Sequence, residues 1–248
     1  MSGHSKWSTI KHKKAKTDAQ RGKIFTKIVR EISTAARIGG GDIDANPRLR
    51  IAVQKAKDVN MPSDNIKRAI QKGTGSGNED QFEEITFEAY ASDGIAMLIE
   101  TLTDNRNRTV PNIRSLLSKV GGSLATKGAV AYQFSKKGIF IFEPGTPEEQ
   151  LMDVTLSAGA DDIINKEDGS IEVLTTPEYF EAVREACDIA TLSYASASLE
   201  MVPQTTVSLA DDKAEKILKL IEKLEDDDDV QAVYSNAEFS DEALAKFA

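Results

Sequence analysis

The chain has one cysteine, two histidines and one tryptophan among 248 residues. Cys187 cannot form an intramolecular disulfide, and with His4 and His12 as the only imidazoles no Cys/His set is spaced to hold zinc. Both histidines lie near the amino terminus with no recognisable acid or nucleophile partner, so a Ser-His-Asp or Cys-His system has nothing specific behind it. No apolar run approaches the roughly 18 residues that a membrane helix needs. The amino terminus reads Lys6, Lys11, Lys13, Lys14 rather than a short basic cap before a greasy stretch. These absences predict a protein of a reducing cytoplasm, neither secreted nor membrane-spanning, and 40% hydrophobic residues supply ample core.

Cofactor motifs are missing as well. Gly121 to Lys127 approaches a phosphate-binding loop, but Thr126 stands where the second glycine belongs and Gly128 follows the lysine in place of Ser or Thr. Asp42, Asp44 and Asn46 occupy the first ligand positions of a calcium loop, yet Pro47 falls at the sharp-turn glycine and Val53 at the bidentate Glu. Asp226 to Asp229 reads as the solvated end of a helix rather than a divalent-ion site. Cys187, with Ala182, Val183 and Ala186 nearby, reads as a buried structural thiol. No metal, no cofactor and no enzymatic turnover are expected.

Charge is abundant but unevenly placed. The net charge of −9 conceals opposite segments. Residues 1–72 hold 17 Lys and Arg against 6 Asp and Glu, a net of +11, and residues 73–104 hold 8 acids and no base. Residues 105–142 hold 7 bases and no acid, and residues 143–248 carry a net of −19. This asymmetry predicts a polyanion-binding part on an acidic body.

The first seventy residues read as a basic arm, expected to order only on binding, followed by three helices. At about 100° per residue, Ile24, Phe25, Ile28, Val29 and Ile32 form one face of a helix from about Thr17 to Ile38, and Lys23, Lys27, Arg30 and Arg37 form a basic stripe opposite. Gly39 to Gly41 stops it. Asn46-Pro47 starts the second helix, and Ser63 or Asp64 caps a third that Gly73 ends. Gly73-Thr74-Gly75-Ser76-Gly77 has linker composition.

Beyond it, Glu84 to Tyr90 and Ile95 to Leu102 read as strands joined by Ser92-Asp93-Gly94, with a helix from about Thr109 and a further strand at Ala129 to Phe134. Residues 138–202 then follow the order βαββαβ, the split βαβ or ferredoxin-like arrangement. A helix at Asp211 to Leu224 and a strand at Val230 to Tyr234 cannot bury their apolar faces unaided, so they are expected to dock on the strands at 84–102. The predicted fold is α+β in three domains: residues 1–76 as arm and helical nucleic-acid-binding domain, 80–136 with 204–248 as a discontinuous α+β domain, and 137–203 as an inserted ferredoxin-like domain.

Two basic segments are interleaved with groups suited to nucleic acid. In the first, Lys6, Lys11, Lys13, Lys14, Lys16, Arg21, Lys23, Lys27 and Arg30 can neutralise phosphates, continued by Arg48, Arg50, Lys55 and Lys57 on the second helix. Trp7 either stacks on an unpaired base or anchors the arm. The second segment is the loop Asp104-Asn105-Arg106-Asn107-Arg108, in which Asn105, Arg106 and Arg108 offer planar donors for phosphate and base edges. The same loop can instead brace the domain, with Asp104 pairing an arginine.

Gly3-His4-Ser5-Lys6-Trp7, Lys11 to Lys16, Arg21-Gly22-Lys23-Ile24-Phe25, Asn46-Pro47-Arg48-Leu49-Arg50, Asn60-Met61-Pro62 and Thr103-Asp104-Asn105-Arg106-Asn107-Arg108-Thr109 resemble the YebC/PmpR family, which includes the mitochondrial translational activator of cytochrome c oxidase subunit I. The likeness continues through Phe134-Ser135-Lys136-Lys137-Gly138 and Asp227-Asp228-Asp229-Val230-Gln231, over nearly the whole chain. It implies a helical amino-terminal domain and two α+β domains. It also implies either a DNA-binding transcriptional regulator or a translation factor that helps ribosomes through difficult sequences such as proline runs.

On the translation reading the basic arm and helices grip ribosomal RNA, or transfer RNA, on the ribosome, and the protein acts as a monomer in the cytoplasm. On the transcription reading the third helix, with Asn65, Lys67, Arg68, Gln71 and Lys72, enters the major groove of duplex DNA. That helix is short and the densest charge lies on the arm and first helix, which favours RNA. An enzyme lacks any paired acid, base or nucleophile.

Overall fold

The computed structural model describes residues 18–75 and 82–246. In chain order the elements are α1 (Asp18–Gly39), α2 (Pro47–Asp58), α3 (Ser63–Thr74), β1 (Glu83–Tyr90), β2 (Ala96–Thr103), α4 (Arg106–Ser118), β3 (Ser123–Leu124) and β4 (Phe134–Phe142). There follow α5 (Glu148–Ser157), β5 (Ala160–Asn165), β6 (Ile171–Thr175), α6 (Phe180–Ile189), β7 (Ser196–Pro203), β8 (Val207–Ser208), α7 (Asp211–Glu225), β9 (Val230–Ser235), β10 (Ala237–Glu238) and α8 (Asp241–Ala245). The described residues divide into two compact units. The first takes the chain up to Ala129 together with Glu215–Val233, and the second takes Val130–Ala214 and the chain from Tyr234 onward.

In the first unit, α1 to α3 close a core of Ile32, Leu49, Val53, Met61 and Ile66, with Phe25, Ile28 and Val29 packed against it. The entry to α2 follows from Asn46, a buried residue held in extended conformation. Its Oδ1 accepts from Leu49 N at 3.1 Å while its Nδ2 donates to Ala35 O at 2.9 Å and Gly40 O at 2.8 Å. One side chain therefore caps α2 and ties it to the end of α1, where Gly40 turns the chain at φ +85°.

Two expectations for α3 fail. The residue before it is Pro62 and no side chain caps the helix, so neither Ser63 nor Asp64 has that role. Gly73 does not end the helix, which runs on to Thr74. A Cβ at Gly73 would stand 2.3 Å from Ser33 O and 2.8 Å from the Ala36 Cβ, so this glycine lets α3 approach α1 instead of stopping it.

The remainder of this unit is a sheet ordered β3-β1-β2-β9. β1 and β2 are antiparallel, from Glu83↔Thr103 to Tyr90↔Ala96. Asp93 and Gly94 turn the chain at φ 61° and 74°, the left-handed conformation that Asp-Gly tolerates. β2 is buried at every position except half-buried Glu100, as its nearly unbroken apolar run requires. The helix expected from Thr109 begins three residues earlier. Asn105 caps it, its side chain accepting from Arg108 N at 3.1 Å. The stretch read as a loop is thus the cap and first turn of α4.

In the second unit, β4-α5-β5-β6-α6-β7 forms an antiparallel sheet ordered β5-β6-β4-β7, the split βαβ arrangement. Its core joins Phe140, Phe142, Leu151, Val173, Phe180, Val183 and Cys187. Phe140 and Phe180 lie 5.0 Å apart between ring centroids, and Tyr194 meets Phe140 edge-on at 5.7 Å. The strand expected at Ala129 to Phe134 is instead a short 3-10 turn at Ala131–Gln133, with β4 starting at Phe134. β8 and β10 form a separate parallel pair. The fold is α+β with a helical amino-terminal region. No helix among the described residues is long and apolar enough to cross a membrane.

Candidate nucleic-acid interface

Lys6, Trp7, Lys11, Lys13, Lys14 and Lys16 lie outside the described residues. Arg21 falls on α1, but its side chain is outside the described set. The remaining candidates share the first unit, and most have partners within it.

The basic stripe of α1 meets the acidic turn after α7. Lys23 Nζ donates to Asp226 Oδ1 at 2.9 Å, and Lys27 Nζ donates to the Glu225 carbonyl. Arg30 Nη1 donates to Asp228 O at 2.8 Å and to Asp229 Oδ1 at 3.0 Å, while its guanidinium lies 5.2 Å from the centre of the Phe82 ring. Lys23 and Asp226 are both well exposed, and such a pair contributes little on its own, roughly 0–1 kcal/mol. The Arg30–Asp229 pair is different, because the Asp229 side chain is only 2% exposed.

Asp229 is the centre of the arrangement. Arg108 reaches it from the first turn of α4, Nε to Oδ2 at 3.1 Å and Nη2 to Oδ1 at 2.7 Å. The fork geometry is the strong bidentate form of an arginine–carboxylate contact. Thr109 Oγ1 lies 2.8 Å from Asp229 Oδ2 and 2.7 Å from Thr103 Oγ1, which accepts from Asn105 N at 2.9 Å. Thr103 Oγ1 also donates to Asp229 Oδ2 at 3.2 Å, so both threonine hydroxyls converge on the same carboxylate oxygen. The backbone of Asp229 accepts from Leu102 N at 2.8 Å, which aligns the turn with β2.

Burial alone would raise the Asp229 carboxyl, but hydrogen bonds from Arg108, Thr109 and Arg30 outweigh it and hold the carboxyl below its ordinary range. The Arg108 guanidinium is correspondingly raised, chiefly by its hydrogen bonds to Asp229 and Asp104. The bracing alternative noted for Asp104 is present, at 2.7 Å from Arg108 Nη2. The solvated-end reading of Asp226 to Asp229 holds for exposed Asp226 and Asp228 and is corrected at Asp229, which is buried. Asp226 and Asp229 accept from cations of α1 and α4, and Asp227 Oδ1 accepts from the Asp229 amide at 2.9 Å. No group of three His, Cys, Asp or Glu among the described residues is placed to hold a metal ion.

Arg48 of α2 is also engaged, with Glu31 Oε1 at 2.8 Å and Glu84 Oε1 at 2.5 Å. Burial would lower its pKa, yet the hydrogen bonds and charges of Glu31 and Glu84 raise it. Arg50 donates to the carbonyls of Ile43 at 3.3 Å and Asp44 at 2.7 Å. Arg106 is exposed, its nearest carboxylate being Glu83 at 3.9 Å. Lys55 and Lys57 on α2 and Lys67 and Arg68 on α3, all read from the sequence as possible contacts, are exposed, whereas sequence reasoning passed over Arg114 on α4 and Lys119 at its carboxyl end, also exposed. Helical spacing alone marks them, since each stands opposite a buried position.

The fold and this interlocked basic surface define an α+β chain whose two halves match one known family. The TACO1/YebC N-terminal domain profile matches residues 5–76, and the profile of the TACO1/YebC second and third domain matches residues 82–237. The chain belongs to the TACO1/YebC family. A protein of Paraburkholderia phymatum named "Probable transcriptional regulatory protein" is 52% identical over 242 residues, covering 98% of this chain and all of its own. One of Coxiella burnetii with the same name is 50% identical over 244 residues, with 98% and 100% covered. The crystal structure of a conserved hypothetical protein from Aquifex aeolicus superposes with a TM-score of 0.82 at 40% identity, covering 92% of this chain and 94% of that one.

Proposed function

We propose that this chain is a nucleic-acid-binding regulator of gene expression that acts on RNA at the ribosome and eases elongation at difficult sequences. Regulation of gene expression is supported by the full-length relatives named as regulators. The observation that carries the choice of RNA is the commitment of Lys23, Lys27 and Arg30 to the turn at 225–229. α1 is thereby occupied by the chain's own acceptors. Its exposed neighbours Lys55, Lys57, Lys67 and Arg68 are spread over two helices rather than gathered on one reading helix. Dispersed cations suit phosphate and shape recognition of folded RNA better than base readout in a major groove.

The alternative, a DNA-binding transcriptional regulator, is favoured by α3, which exposes Lys67, Arg68, Gln71 and Lys72 over buried Ile66 and Ala69. Competition at physiological salt between purified ribosomes and promoter-length duplex DNA separates the two. The test sets wild type beside a variant carrying Glu at Lys13, Lys14, Lys57 and Lys67. Ribosomes should compete far better per phosphate, and the variant should leave the ribosome fraction while remaining folded. Sequence-selective duplex binding without ribosome association would select the alternative.

A further inference from the structure

α4 is amphipathic in a way that leaves one face without a partner. Thr109, Ile113 and Leu117 are buried, and at about 100° per residue Pro111, Arg114, Ser115, Ser118 and Lys119 fall on the opposite arc. These five residues line an open depression of about 510 Å³. Arg114 and Lys119 are exposed, and no carboxylate among the described residues lies within ion-pair distance of either. The contrast with Arg108 on the same helix is direct, since that side chain is held by Asp104 and Asp229. Ser118 Oγ donates back to Arg114 O at 2.7 Å, whereas the Ser115 hydroxyl remains open beside the two cations.

We propose that this face of α4 is a second RNA-contacting surface, on which Arg114, Ser115 and Lys119 take backbone phosphates of one RNA strand; the proposal rests on the RNA reading above. Charge complementarity selects the occupant. The depression has two cations and no anion, and residues 105–142 contain no Asp or Glu to repel a phosphate. Arginine, lysine and serine donors together are the side chains that position nucleic-acid backbones. No aromatic residue lines the depression, so no ring is present for a base to stack on, and contacts to phosphates carry no sequence information. The same lack removes the aromatic anchor on which a protein partner would depend.

The test uses the full-length chain and a fluorescent single-stranded RNA, titrated at several salt concentrations. Arg114→Gln with Lys119→Gln should reduce the slope of log affinity against log salt by about 1.4, from two phosphate contacts at about 0.7 each. Arg114→Lys with Lys119→Arg should keep the wild-type slope. In the wild-type protein, RNA should protect Lys119 from an amine-reactive label, a readout that does not depend on how any variant folds. An unchanged slope and unprotected Lys119 in a protein that still binds RNA would overturn this surface and leave the RNA reading standing. A wild-type protein that binds neither RNA nor ribosomes would overturn both. Protection of Lys119 by an acidic polypeptide but not by RNA would assign the face to a protein instead.

Discussion

Arg30 of α1 donates to Asp229 at 3.0 Å, on a carboxylate whose side chain is 2% exposed. The contact sets a side chain of the amino-terminal helices against a turn near the opposite end of the sequence. Arg108 shares the same oxygen at 2.7 Å, so α1, α4 and the turn before β9 meet on one carboxylate.

Asp229→Asn should destabilise the protein by about 2–4 kcal/mol, because two guanidiniums lose their anion at a buried point. The effect should depend on pH. The folded-state carboxyl is depressed, so its contribution is complete above the ordinary carboxyl pKa of about 4 and disappears as pH falls through the folded value. Urea midpoints for wild type and variant should therefore differ most at pH 7 and converge toward pH 2. A constant difference across that range would contradict the arrangement.

Gly73→Ala pits two effects against each other. Alanine gains about 1 kcal/mol of helix propensity, but its Cβ would stand 2.3 Å from Ser33 O, a backbone atom that cannot swing aside. The steric effect should win, lowering the melting temperature, whereas the same change at Gly22, which has open space around it, should not lower it.

Cys187 is fully buried and its thiol is pushed up to about 11, first by burial and then by the charge of Asp188. A thiol reagent at pH 8 should leave native protein unlabelled and react with one equivalent once it unfolds in denaturant. Rapid labelling of the native state would place the sulfur at the surface.

The inserted ferredoxin-like domain expected at 137–203 begins its first strand at Phe134, and we expect residues 134–203 to fold alone. β4 pairs with β7 from Phe134↔Pro203, and the two helices share one core with the sheet. The isolated fragment should melt cooperatively by circular dichroism. A fragment that aggregates or lacks a transition would show that the βαββαβ series needs the rest of the chain.

Much of the fold was legible in the sequence because it is local. Hydrophobic spacing places α1, Asn46-Pro47 starts α2, Asp93-Gly94 turns β1 into β2, and the βαββαβ order is present in the chain between Phe134 and Pro203. Each rests on residues a few positions apart, where propensity and periodicity act. The misread details depend on neighbours distant in sequence or on a cap whose effect is not periodic. Gly73 resembles a helix stop until Ser33 is seen against it, and Asn105 resembles a loop residue until its side chain is seen capping α4.

For the site, the sequence by itself determined where positive charge is concentrated and which residue types could carry phosphate contacts. Only the tertiary structure decided which of those charges are already spent. Arg30, Arg108 and Asp229 are far apart in the chain, and their hydrogen bonds exist only once α1, α4 and the turn before β9 have packed together. Arg114 and Arg108 look alike in the sequence, six residues apart on one helix. One faces a carboxylate delivered by the fold and the other faces solvent, because the angle around a helix axis has meaning only when something stands beside it.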